Sequence, residues 1–284
     1  MLDVWSRRNL LKLAAIAVPF GRIGFKPQPA ATSGDDKTAS PSSELVSDAF
    51  PTQPPELVRE MVIVSHFDLK RVKELVEPRP SLARASWDWG FGDWESALGA
   101  ASHMGNRAIA EYLISRGARP SLFSAAMLGQ VEVVKAMIAA NSGAQRIRGP
   151  HGISLLAHAK AGGGLARSVF ALLQSLGDAD ADPPFPLSDS EITMLAGTYV
   201  FGYGESQRIE VTAEERQGLI SMYSPLTWTR KGMMGRPLVH LGDHAFYPAG
   251  VPSVRIIFTE ADASRVMTVH DPETVLVAKK KKFE

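Results

Sequence analysis

"ESALGAASHMGNRAIAEYLISRGARPS", residues 95–121, can be laid over "SLFSAAMLGQVEVVKAMIAANSG", residues 121–143, and that overlay decides the architecture. Leu98 meets Phe123, Ala101 meets Ala126, Gly105 meets Gly129, and the Tyr112-Leu113 pair meets Ala136-Met137. Self-similarity at such a period marks stacked supersecondary units rather than one irregular domain. The unit continues both ways. Downstream, Ser154, Leu156, Ala159 and Gly162 fall in register before a closing Leu172-Leu173 pair; upstream, "VSHFDLKRVKELVE" lies over "ASHMGNRAIAEYLI", matching Ser65-His66 to Ser102-His103.

Each unit reads as two helices. The small pairs Ala100-Ala101 and Ala125-Ala126 let the first helix approach its neighbours, and Gly105 and Gly129 supply permissive backbone where that helix ends. Ile109, Tyr112 and Leu113 recur at spacings of three and four, a buried stripe for the second helix. One pair cannot cover its own apolar face, so stacking makes the core. Four degenerate repeats are expected over about residues 57–180, within a domain spanning 57–182.

These residues resemble the ankyrin repeat, a Gly-x-Thr-Pro-Leu-His-x-Ala pattern followed by a glycine and an apolar helix. Ser96, Ser121 and Ser154 hold the Thr position, Leu98, Phe123 and Leu156 the Leu position, and Ala101, Ala126 and Ala159 the Ala position. No repeat keeps Thr-Pro-Leu-His intact, and the Ala-to-Ala spacings of 25 and 33 (126 minus 101, 159 minus 126) straddle the usual period of about 33. The resemblance implies a protein partner bound on the concave and hairpin face. It also implies that the hydroxyl at the Thr position caps the first helix.

The segment "WDWGFGDW", residues 87–94, falls where such a unit builds its projecting hairpin. Gly90 and Gly92 supply turn chemistry, and Asp93 sits just ahead of a helix as a cap or first-turn acid. Two readings stay open. The rings are an aromatic contact surface, with Trp87, Trp89, Phe91, His103 and Arg107 as exposed protein-binding candidates, or they fold down to seal a short array. Trp94 is the expected core member.

The start, "SRRNLLK" at Ser6–Lys12, resembles the twin-arginine export signal, with Arg7 and Arg8 as the pair read by the translocase and Leu10 where Phe is usual. "LAAIAVPFG" is a short apolar region that Arg22 and Lys26 interrupt before about 20 residues, the length needed to span a bilayer. A signal over residues 1–31 and a flexible linker over 32–56, rich in Pro, Ser, Thr and Ala, are expected, with a periplasmic address. The 284 residues contain no cysteine, which removes disulfides, thiolate metal sites and thiol nucleophiles. A net charge of +1 gives no general attraction to nucleic acid.

After "DADADPPFPLSD", residues 178–189, the chain alternates through about eight short strand-like segments, "TYVFG", "QRIEVTAE", "GLISMYS", "LTWTRKG", "PLVHLGDHAFYP", "SVRIIFTEA", "RVMTVHD" and "TVLVAKK". Such a meander needs closure to protect its edges, so residues 187–284 are expected to form an antiparallel eight-stranded β-barrel. Gly197-Thr198-Tyr199, Phe246 and Phe258 resemble signposts of the lipocalin-like barrel appended to bacterial serine hydrolases of the β-lactamase and penicillin-binding class. No Ser is followed three residues later by Lys, so only the accessory barrel is suggested. Its interior is read as filled with side chains, the alternative being a cavity for a small apolar ligand. The fold class is therefore α+β and multidomain: an ankyrin-type helical solenoid, then a small barrel.

Three constellations invite chemistry. His240, Asp243 and His244 in "HLGDH" offer metal donors, but strand-and-turn spacing does not converge them. His151, Ser154 and His158 suggest a Ser/His nucleophile, but Ser154 holds the capping position. Lys279 to Lys282 read as a solvated tail. No phosphate loop, dinucleotide fingerprint or zinc-helix motif appears. The chain is thus expected to be an exported, non-enzymatic adaptor without catalytic, cofactor or metal residues. The competing expectation is a carrier or sensor of a small apolar ligand held in the barrel.

Overall fold

A computed structural model describes residues 49–180, 185–214, 223–261 and 264–281. The twin-arginine-like segment, with Arg7 and Arg8, and most of "GLISMYS" lie outside them. The described residues form one compact unit.

Its first half is four consecutive helix pairs: α1 Pro55–Val64 with α2 Leu69–Val76, α3 Ala97–His103 with α4 Arg107–Ser115, α5 Leu122–Met127 with α6 Val131–Ala140, and α7 Leu155–Ala161 with α8 Arg167–Leu176. A hairpin of β1 Ser86–Asp88 and β2 Trp94–Ser96 joins the first pair to the second. Ser96, Ser121 and Ser154 each accept a backbone N–H in the first turn of α3, α5 and α7, which is the capping role their position implied.

Glycine fixes how closely the pairs approach. Gly105 and Gly129 sit at φ +72° and +76°, and a β-carbon there would stand 2.2 Å from Ala161 O and 2.1 Å from Leu165 O. Only glycine satisfies both the left-handed backbone and the contact. Two cores result. One joins α1 to α4 around Met61, Val72, Leu82, Leu98 and Leu113; the other joins α5 to α8 around Ala126, Val134, Leu155, Val169 and Leu173.

The second half opens with a helix the strand reading missed, α9 Asp189–Leu195. Its signal was present: Ser188 and Glu191 form a reciprocal capping box. Eight antiparallel strands follow: β3 Gly197–Val200, β4 Arg208–Ala213, β5 Leu226–Arg230, β6 Arg236–Gly242, β7 Ala245–Pro248, β8 Arg255–Ala261, β9 Ser264–Asp271 and β10 Thr274–Lys280. They pair in chain order, and β10 returns to β3 to close the barrel. The strand count matches expectation, but its composition differs, because "PLVHLGDHAFYP" is itself the β6–β7 hairpin. Asp243 and His244, both at positive φ, make its turn.

Side chains fill the barrel. Tyr199, Ile209, Leu226, Trp228, Leu238, Phe246, Phe258 and Met267 are all buried in one cluster, with Phe258 edge-on to both Tyr199 and Phe246 at ring separations of 5.5 and 5.6 Å. Eight strands leave an interior that side chains can occupy fully. Lys279 and Lys280 are not a tail: they pair with Val200 and Tyr199 in the seam that closes the barrel, and Lys280 Nζ donates to Met194 O at 2.8 Å.

Candidate functional site between the helical array and the barrel

The site is built on the β1–β2 hairpin. Gly90, Phe91 and Gly92 all take positive φ at its tip, a tight reversal that brings Asp88 opposite Trp94 and Trp87 opposite Glu95. Period-two alternation then decides which side chains turn inward. Glu95 is fully buried, while its neighbour Trp94 is 63 % exposed. Trp94 is therefore not the core member expected from its type; Trp89, 5 % exposed, takes that place.

A buried carboxylate requires partners, and Glu95 has several. Trp89 Nε1–H donates to Glu95 Oε2 at 2.8 Å. His66 Nε2 and His151 Nε2 stand 3.6 and 3.5 Å from the same oxygen. His103 Nδ1 lies 3.2 Å from Oε1 but without hydrogen-bond alignment. His66 comes from the turn after α1, His103 from the end of α3, and His151 from the turn at Pro150–Gly152. Three separate segments of the helical half thus bring imidazoles to one carboxylate.

Asp93, on the same hairpin, faces the barrel. It accepts from His151 Nδ1 at 2.8 Å, from the His151 backbone N–H at 3.1 Å, and from Arg236 Nη1 of β6 at 2.8 Å. Arg236, itself buried, also donates to Ala249 O at 2.7 Å, and Tyr223 Oη donates to His151 O at 2.6 Å. The capping role expected of Asp93 falls to Ser96.

Protonation follows from these neighbours. Burial alone would lower the pKa of His151, but its hydrogen bond to Asp93 and the neighbouring Glu95 carboxylate outweigh it and raise the value to about 9. Burial would raise Glu95, yet the contacts with His103 and His151 hold it well below the usual carboxylate range. Asp93 is lowered against its burial by His151 and Arg236. Burial dominates at His103, and at His158, which is pushed down to about 4. With His151 and Arg236 charged against Asp93 and Glu95, the four groups balance.

Over this cluster lies a cavity of about 280 Å³. His66, His103 and His151 form one end; Met104, Ile153, Met234, Pro237 and Ala249 give apolar walls, and Trp89, Tyr223, Gly235 and Arg236 complete it. Helical array and barrel both contribute.

The five expected contact residues do not form one free surface. Trp89 and His103 are buried in the cluster. Phe91 packs on the barrel core, its ring 5.7 Å from Trp228, because the hairpin tip reaches the barrel. Arg107 spans two pairs, contacting Glu111 at 3.4 Å and donating to Met127 O at 3.3 Å. Trp87 is half-buried beside a separate open groove of about 430 Å³ that includes Arg59, Glu60 and Met233.

Nor do the other constellations assemble. His240 stacks on Phe246 and bonds Phe185 O at 3.0 Å, whereas His244 reaches Glu191 at 3.4 Å. Ser154 Oγ donates to Asp180 and caps α7, while His158 Nδ1 bonds the Ser154 carbonyl rather than the hydroxyl. Among the described residues, one group of three offers converging metal donors, His66, Glu95 and His151, whose ligand atoms lie within 4.8 Å of one another. A sequence signal for part of this existed: the overlay matched Ser65-His66 to Ser102-His103, and the two rings lie 4.9 Å apart. Compared with known protein families and with curated proteins, the chain matches none.

Proposed function

We propose that this chain is a non-enzymatic carrier or sensor of a small molecule, bound in the cavity between helices and barrel rather than inside the barrel. The observation that carries this reading is one cavity with apolar walls and a few convergent polar groups, the usual constitution of a small-ligand site. Its volume suits a compact, mainly apolar ligand whose polar end meets the imidazoles. The filled barrel interior argues against a ligand there.

The reading includes origin and address. The four helix pairs are divergent ankyrin repeats, supported by the three capping serines and the glycines that follow the first helices. The closed eight-stranded meander supports a lipocalin-like barrel. Export by the twin-arginine pathway to the periplasm rests on Arg7 and Arg8; replacing both with Lys should leave the protein in the cytoplasm, and unimpaired export would refute it.

The test uses 8-anilinonaphthalene-1-sulfonate as the probe. Saturable one-site fluorescence enhancement is expected, with strong loss in Met104→Glu, which sets a charge on the half-exposed cavity rim. No saturable binding, or unchanged binding in the variant, would overturn the assignment. A second reading, the adaptor with a protein partner, is favoured by α6, where Val134 is the single buried residue and Val133 and Met137 are exposed. Met137→Glu should then weaken partner capture without changing probe binding.

A further inference from the structure

We propose that His66 Nε2, Glu95 Oε2 and His151 Nε2 bind one divalent transition-metal ion of the zinc class, leaving the fourth coordination position to the cavity. The three-ligand site stands without the small-molecule reading; only the role of the fourth position, anchoring the ligand's polar end, rests on it.

Orientation of the imidazoles is the first argument. His66 Nδ1 is within 3.1 Å of Val62 O and 3.0 Å of Ile63 O, so it carries the proton and donates to the end of α1. His151 Nδ1 is bonded to Asp93 at 2.8 Å. Both rings are thereby fixed with Nε2 directed at Glu95. An imidazole whose far nitrogen is held by a carboxylate or backbone carbonyl is the arrangement that orients metal-binding histidines.

Spacing is the second. The 3.6 and 3.5 Å separations from Glu95 Oε2 exceed ordinary hydrogen-bond lengths. They approach the edge of a tetrahedron about a zinc-sized ion, roughly 3.4 Å for metal–donor distances near 2.1 Å. These two edges, within a set of donors that all lie within 4.8 Å of one another, leave room for an ion, which on binding would displace the Nε2 proton of the charged His151. Trp89 donating to Glu95 Oε2 supplies the outer support that ligating carboxylates receive.

Donor type is the third. Two imidazoles and one carboxylate favour zinc, copper or nickel over calcium and magnesium, which take oxygen ligands. Three protein ligands with one position open is the pattern of zinc sites that accept an exogenous ligand. His66 and His151 both line the cavity, so that position faces a space able to hold one.

The experiment uses the untagged full chain, stripped with chelator and titrated with Zn²⁺ against a chromophoric competitor, with Co²⁺ in parallel. One equivalent of Zn²⁺ and an intense visible Co²⁺ band, the mark of four-coordination, are expected. His66→Gln, at a partly exposed ring, and Glu95→Gln should each lose roughly a hundredfold in affinity or more, since even outer supports are worth ten- to a hundredfold. Circular dichroism establishes that each variant is folded; should either not be, wild-type stoichiometry and the Co²⁺ spectrum decide alone. Less than one equivalent, a weak six-coordinate spectrum, or unchanged affinity in folded variants would overturn the site. Metal loss with fluorophore binding intact would refute the metal alone, and the converse would refute the cavity reading alone.

Discussion

His158 provides a quantitative test of the packing beneath the site. It is fully buried in α7; Nδ1 donates to Ser154 O at 2.8 Å, Phe123 lies 4.8 Å from its ring, and Nε2 has no hydrogen-bond partner. Protonating Nε2 would bury a charge with nothing to receive its hydrogen. Burial therefore lowers the pKa from 6.5 to about 4, against the pull of the Ser154 carbonyl. The unfolded chain takes up this proton near 6.5 and the folded chain only near 4, so between those values the unfolded state binds more protons and stability falls as pH falls. The full linkage is worth about 3 kcal/mol, of which about 2 kcal/mol is lost between about pH 7 and about pH 4.5. Urea unfolding of wild type and His158→Gln, both with chelator present, measures it. The variant has its own offset, so the informative quantity is the difference between the two stability curves, which should change by about 2 kcal/mol across that interval. Acid loss at Glu95 and Asp93, whose pKa values are lowered, falls below the usual carboxylate range and is common to both proteins. Parallel curves would refute the reasoning and mean that water reaches Nε2.

Two further outcomes test the frame. Gly105→Ala forces a left-handed alanine into the Ala161 carbonyl and should cost more than about 2 kcal/mol in denaturant unfolding, whereas Gly117→Ala, at φ +91° but in open space, should cost only the backbone component. Arg236→Met removes one member of a buried pair and leaves Asp93 to His151 alone; a loss of about 3–5 kcal/mol is expected, and a loss under about 1 kcal/mol would show that the barrel side of the cluster is dispensable.

Much of the frame was legible because it is written locally. A capping serine needs only a backbone N–H three residues on, and a glycine ending a helix needs only its own φ, so the ankyrin resemblance could place Ser96, Ser121 and Ser154 as caps and the overlay could place Gly105 and Gly129 at helix ends. The barrel was legible for the same reason, since alternation and turn residues mark its strands one by one. The site was not, because its members approach only through packing: Asp93 meets Arg236 across 143 positions and His151 across 58. Residue type misled most at the hairpin. Tryptophan is usually buried, but the pleat decides by parity, and it turned Glu95 inward and Trp94 out.

That inversion bears on why the cluster exists. A chain needing only a joint between helices and barrel already has one in Phe91 on Trp228, supported by the hairpin's glycine turn. Replacing a buried ion network with apolar residues of similar volume is often neutral or stabilising, so Asp93, Glu95, His151 and Arg236 are not explained by stability. Their hydrogen bonds also leave work unfinished: Glu95 Oε1, His103 Nδ1 and Arg236 Nε are buried without a hydrogen-bond partner. Convergent polar groups beside an apolar-walled cavity are the usual constitution of a small-ligand site. The aromatic hairpin therefore joins helices and barrel at this cluster, where Trp89 positions Glu95 through its Nε1–H while Trp94 stays turned to the outside.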